Sequence, residues 1–349
     1  MKDTVAAVQR PGIIKRIINY FNETNKTYPT KHVDFSFIGG PHYSSDSKFG
    51  LGLVASGLYT TDPSDTTLTV SNISIKADAT TAAHFTLSLT GEHVTPHDDY
   101  RLNYEASFSS IDTKYWGIGF DQCSNNDNES QYKYLAANVN VVFARRLGSH
   151  FYIGPMATLD YVNARKFEKP ELWDGQPRHM FSYGIGLSMR YDTRDYTTDP
   201  RSGVCIRMDQ TFNGRWMGNR QGYNVNVMSV SWYGRLWRDA VLATRLHSRI
   251  TWGDTPWGMM SFIGGSYDMR GYFEGRYRDK SEIDLCVELR QHVWRRNGVV
   301  LWGGVASVFP RFSDIRFKQL LPNWGIGYRW EFKQRVIVRV ALGFGGGQC

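Results

Sequence analysis

One run of the chain, Met269 to Asp279 (MRGYFEGRYRD), places Arg270, Arg276 and Arg278 among glycines and aromatic rings. Three chemistries suit guanidinium groups interleaved with rings. They can hold nucleic-acid phosphates and bases, or stay solvated in a polar loop. Enclosed in protein, each would need a carboxylate, because an uncompensated charge in a low-dielectric site is expensive. Catalytic patterns are missing elsewhere: there is no GxSxG elbow, no HExxH and no phosphate-cradling Gly-Lys-Ser/Thr run. The stretch GFGGGQ lacks the last glycine of a dinucleotide fingerprint and follows no βαβ pattern. Cys123, Cys205, Cys286 and Cys349 are scattered, without a CxxC or a Cys/His cluster. No enzyme activity, metal or cofactor is therefore expected.

The elements that position this run are read from composition and periodicity. The 349 residues are 14% aromatic, with 34 glycines and 12 prolines and no low-complexity run, which marks an ordered chain. A net charge of +8 permits an anionic partner and leaves the fold open. No stretch of eighteen apolar residues offers a membrane-spanning helix. The first thirty residues lack the apolar core and cleavage site of a secretory signal.

From about residue 33 the chain alternates. Ile283, Leu285, Val287, Leu289 and Val293 share one face, and Glu282, Asp284, Glu288, Arg290 and His292 the other. Phe181 to Asp192, Trp324 to Phe332 and Val336 to Phe344 repeat the pattern. A soluble sandwich alternates too, but many of these segments run ten to fifteen residues, against roughly five or six for an ordinary strand. A tilted bilayer crossing needs about nine to eleven. Tyr115, Trp116, Trp252, Trp257, Trp294, Trp324 and Trp330 lie near segment ends, as in the interfacial girdles of outer-membrane barrels. Short turns, such as 238–239 and 333–334, mostly alternate with long loops.

The expected fold is all-β: a transmembrane antiparallel β-barrel over residues 32–349. It is of the 16-stranded type with fifteen strands present, the last strand missing, and a long inward-folded loop after strand 11. An odd count is unusual for such barrels, and an open edge in hydrocarbon is costly. Residues 1–31 are read as an amphipathic helix (Ile13, Ile14, Ile17, Ile18 and Phe21 at helical spacing after Pro11) and a linker.

Two motifs carry a resemblance. MRGYFEGRYRD resembles the Val-Arg-Gly-Phe/Tyr loop signature of the BamA/TamA superfamily of outer-membrane assembly factors, the bacterial surface-antigen barrels. YDTRDYTTDPRSG, Tyr191 to Gly203, is similar to a second signature, Asp-x-Arg-Asp followed by a Pro-x-x-Gly turn, formed here by Asp192, Arg194, Asp195, Pro200 and Gly203. The resemblance implies that the loop, with Met269, Arg270, Gly271 and Tyr272, folds into the lumen and that Arg270 meets Glu288. Where a further acidic residue is expected one strand on, this chain has Gly304.

The implied function is insertion or translocation of proteins at the bacterial outer membrane. Its implied partners are outer-membrane lipids, unfolded barrel proteins and a separate periplasmic protein; no nucleic acid is expected. The alternative is a passive pore or structural surface barrel lined by Arg190, Arg207, Asp209, Arg245, Arg249, Glu288 and Arg329.

Overall fold

Two-residue alternation turns most of the chain into strands. The structure, a computed structural model, describes residues 34–346 except 45, 66–67, 174, 266–268 and 334–335. The helix expected over Gly12 to Phe21 lies outside the described residues. The first strands are β1 (Asp34–Ser44), β2 (Lys48–Tyr59), β3 (Ser71–Thr80), β4 (Phe85–Val94) and β5 (Tyr100–Tyr115). A short helix, α1 (Phe120–Ser124), precedes β6 (Ser130–Arg146), β7 (Phe151–Arg165), β8 (His179–Asp192) and β9 (Gly203–Asn213). Then come β10 (Tyr223–Trp237), β11 (Ala240–Gly253), β12 (Ser261–Ile263) and β13 (Tyr277–Asp279). The last four are β14 (Ser281–Trp294), β15 (Asn297–Phe309), β16 (Leu321–Lys333) and β17 (Val336–Gly345).

Fifteen of these form one sheet in sequence order from β1 to β17, with β11 pairing directly to β14. Its neighbours are all antiparallel, and β1 and β17 are its edge strands among the described residues. The strand count and the long loop after the eleventh strand match the sequence reading. The small hairpin β12–β13, set apart inside that loop, was not anticipated.

Strand β6 shows how the wall is solvated. Leu135, Ala137, Val139, Val141 and Phe143 point outward between Lys133 and Arg145, while Tyr132, Ala136, Val142 and Ala144 on the opposite face are buried. Eight intervals from 135 to 143 at about 3.4 Å each span roughly 27 Å. At the roughly 40° tilt usual for such walls this is about 21 Å along the normal, near the ~25 Å apolar band of an outer-membrane barrel. Residues that would be aggregation-prone in water thus form a lipid-facing belt.

The girdle is only partly where the sequence put it. Trp252 and Trp324 are exposed on the outer face at the long-loop end, and Trp294 and Trp330 at the short-turn end. Tyr115, Trp116 and Trp257 are instead fully enclosed, which corrects their assignment to the membrane interface. Tyr115 ends β5 opposite Ser130 on the inward-facing register, and the two tryptophans lie beyond strand ends in links that fold inward. Nearness to a strand end was the wrong criterion; the face decides.

Those enclosed rings form a lid across the long-loop end. Trp173 lies 4.1 Å from Trp257 and 4.4 Å from Tyr115, centroid to centroid, with Tyr132 packed at 5.3 Å. Trp257 Nε1 donates to the Pro177 carbonyl, pinning one loop to another. Offset and edge-on ring pairs of this kind each contribute about 0.5–1.5 kcal/mol beyond their buried area.

Candidate functional site

In the link after β11, residues 269–272 lie in the lumen with their backbone against the inner wall of the last strands. Gly271 adopts φ +104°, and a Cβ there would stand 2.5 Å from the Phe344 carbonyl carbon, so only glycine allows this approach. The wall is cut to fit. A Cβ on Gly343 would stand 2.9 Å from the Arg270 carbonyl carbon, and one on Gly345 would meet the Tyr272 ring at 2.7 Å. Strand β17 thus carries two glycines against which the loop lies.

Once seated, the loop is fastened strand by strand. The Arg270 guanidinium donates to Glu288 on β14 and stacks 3.8 Å above the Trp302 ring of β15. Its carbonyl accepts from Asn323 Nδ2 of β16 at 3.0 Å. Tyr272 donates its hydroxyl to the Pro322 carbonyl and accepts from the Gly346 amide, both at 2.8 Å. Met269, 2% exposed, anchors the turn in an apolar cluster with Trp116, Cys123, Ile263 and Tyr277. The loop also crosses to the opposite edge, where the Glu274 amide donates to Asp46 Oδ2 in the β1–β2 link at 3.2 Å.

Glu288 gathers more than one cation. Its second oxygen accepts from Arg290 Nε at 3.0 Å, and Arg339 Nη1 of β17 stands 3.9 Å from the first. A single carboxylate is shared by three guanidiniums, so the loop arginine is held firmly only while Glu288 is ionised and in place. Gly304, where an acidic residue was expected, pairs with Cys286 and Asn323. A Cβ on it would meet Asn323 Oδ1 at 2.5 Å, so glycine makes room for the amide that grips the loop backbone.

All three arginines of the opening run are enclosed, each at most 6% exposed. Arg276 donates to Asn126 and lies over the Trp116 ring, and Arg278 donates to the Trp257 carbonyl. The run is enclosed, but a carboxylate meets only Arg270 in the contacts described, while Arg276 and Arg278 lie over rings and bond an amide and a carbonyl instead.

The second motif is a braced turn. Asp192 receives Arg194 through two bonds, Nε at 2.9 Å and Nη2 at 2.7 Å, and Arg190 at 2.8 Å. Asp195 Oδ1 accepts from the amides of Tyr196, Arg201 and Ser202. Gly203 has φ +106°, where a Cβ would collide with the Thr193 carbonyl. Pro200 is buried, and its neighbour Asp199, overlooked in the sequence, accepts from Arg329 Nη2 of β16 at 2.7 Å. The Asp-Pro pair reads as ordinary turn chemistry, which hides that its carboxylate reaches across the lumen mouth.

Arg190 carries the network onward to Glu92 at 3.5 Å, which also bonds Arg101. Arg101 clasps Asp98 in the β4–β5 turn, and Tyr152 donates to the same carboxylate at 2.6 Å. Burial opposes ionisation of Asp98, but the bonds from Arg101 and Tyr152 prevail and hold its carboxyl below the usual 3.8.

A third inner cluster has metal-ligand residue types. His247 Nδ1 lies 3.0 Å from Glu282 and 3.2 Å from Asp284, on the paired strands β11 and β14. An imidazole between two carboxylates also satisfies itself as an ion pair, so its geometry alone names no ion.

With this geometry in hand, the comparisons are decisive on family. The Omp85 superfamily domain matches residues 69–308, more than half of the chain. This chain belongs to the Omp85 superfamily. A sequence search of curated proteins finds no match. Among solved structures, BamA from Haemophilus ducreyi lacking POTRA domains 1-3 is similar to 92% of this chain at 13% identity, with a TM-score of 0.59. CdiB from Escherichia coli is similar to 93% at 12% identity (TM-score 0.60), and CdiB from Acinetobacter baumannii to 90% at 11% (TM-score 0.54). The Omp85 chain spans 68% of that BamA chain and 60% of either CdiB chain. At such identities the likeness is one of fold: an outer-membrane-type antiparallel barrel, as the alternation implied.

Proposed function

We propose that this Omp85 barrel inserts or translocates proteins at the bacterial outer membrane, with the Arg270 loop as its internal brace. The carrying observation is the seat of that loop. It is fastened to each of β14, β15, β16 and β17, and it touches the β1–β2 link through Glu274 and Asp46. A loop that grips both edge regions is suited to govern whether the edges stay together. As an edge strand among the described residues, β1 is then where an incoming strand would add by β-augmentation, while the apolar belt keeps the barrel among outer-membrane lipids. Unfolded barrel proteins and a separate periplasmic protein that delivers them are the partners this reading requires; it requires no catalytic residue.

The passive-pore reading is disfavoured by the packed lid of Tyr115, Tyr132, Trp173 and Trp257. The test is reconstitution of the protein in liposomes followed by the folding rate of an unrelated barrel protein. Acceleration is expected. No acceleration, together with a conductance that appears on deleting 266–280, would replace the proposal with a plugged pore.

A further inference from the structure

At the short-turn end of the lumen lies a cavity of about 210 Å³. It is bounded by the 193–202 turn, the β10–β11 and β14–β15 turns and the inner faces of β16 and β17. Arginine dominates its lining. Arg290 and Arg329 are occupied by Glu288 and Asp199. Arg201, Arg235 and Arg238 also line it, and among the described residues none of these three has an ion-pair partner. Arg235 and Arg238 are exposed and Arg201 half-buried, so water and solutes reach them.

Three uncommitted guanidiniums that line one cavity, from two turns and the end of β10, repel one another, and an incoming oxyanion relieves that repulsion while accepting paired bonds from each planar fork. We propose that this cavity binds the carboxylate side chains of an acidic polypeptide segment entering the lumen mouth. The inference rests on the reading of the barrel as one that handles polypeptides, and it names the charge such a segment carries.

Two features favour a peptide over a phosphate compound. Arg290, Arg329 and Glu331 lie on the inward-facing register, so the cavity opens to the lumen rather than to the bilayer, beyond reach of lipid headgroups. Its volume equals roughly seven waters at about 30 Å³ each, room for more than one small ion. Asp199, Asp239 and Glu331 are interspersed in the lining, which disfavours a compact dianion and tolerates carboxylates spaced along a chain.

The experiment uses the full chain in nanodiscs and a fluorescent peptide of alternating Glu and Ser, read by anisotropy, beside the same peptide with Gln for Glu. The Glu peptide should bind, weaken as salt rises, and lose about tenfold or more in affinity in the R235Q/R238Q variant, since charged hydrogen bonds of this kind contribute about one decade each. The R235K/R238K variant keeps the charge, so an intermediate loss supports the paired-fork geometry and guards against a folding artefact. Equal binding of the Gln peptide, or unchanged affinity in R235Q/R238Q, overturns the proposal. Displacement by inorganic phosphate at peptide-like concentrations also overturns it, in favour of a phosphate site. Liposome folding activity is scored separately, so loss of that activity with retained Glu-peptide binding counts against the assembly reading and not against the cavity.

Discussion

Gly343 of β17 lies directly beneath Arg270, close enough that a side-chain carbon on the glycine would stand 2.9 Å from the arginine carbonyl carbon and 3.0 Å from its Cβ. The position of the loop therefore depends on an atom that is absent. Replacing Gly343 by Val must push the loop off the wall or strain it in place. Overpacking of this kind typically costs about 1–3 kcal/mol. A heat-modifiability gel across a temperature series should show G343V unfolding at lower temperature than G303V, where a Cβ would meet nothing nearer than 3.8 Å. Identical midpoints would mean that the loop is not seated as described.

The Arg270–Glu288 pair should behave as a coupled unit. Arg270→Ala leaves Glu288 buried with Arg290 still bonded to it, so the expected loss is about 1–3 kcal/mol rather than the 3–5 of a fully orphaned charge. Arg270→Lys keeps the charge and loses the fork and the stacking over Trp302, and should fall between wild type and Ala. A double-mutant cycle with E288Q measures the coupling. Additive effects would show that the contact contributes nothing to stability.

Cys123 reports on the apolar cluster that anchors Met269. It is wholly enclosed in α1, and burial pushes its thiol up to about 11. At pH 8 it should resist a maleimide far longer than Cys205 or Cys286, which are half-buried. Truncating Arg276, which donates to Asn126 beside that helix, should quicken its labelling. Rapid labelling of wild-type Cys123 would show that this cluster opens freely.

Acid sensitivity should include a contribution from Asp98. Its folded pKa is depressed below 3.8 by Arg101 and Tyr152, against burial. In that window the unfolded chain binds more protons than the folded one, so the contribution is complete above 3.8 and is lost as pH falls through the folded value. D98N should lower stability at neutral pH and flatten the decline below pH 4. A variant whose acid profile parallels wild type would remove Asp98 from the account.

Much of the architecture was legible because a wall between lipid and lumen writes its period into the sequence: Ile283 to Val293 alternate with Glu282 to His292 along one strand. The loop and turn motifs were legible because Arg270, Asp192 and Gly203 stand in recognisable local strings. Other features had no such record. Strands β12 and β13 have three residues each, too few for periodicity. Gly343 falls on the polar face of the Val336 to Phe344 alternation, and glycine's role there appears only when a second backbone is laid upon it. Asp199 and Arg329 are 130 residues apart, and only the curling of the sheet brings them together.

The contact between Glu274 and Asp46 changes what the loop is. Tyr272 holds the backbone just past β17, and two residues later the same chain holds the link between β1 and β2. It therefore works as a buckle on a belt, one strap passed across the junction of first and last strands. Its hold includes an amide-to-carboxylate bond on the β1–β2 side and a web of fastenings to the last four strands on the other. Among the described residues β1 and β17 share no ladder, so the strap joins the two edge regions where strand pairing does not.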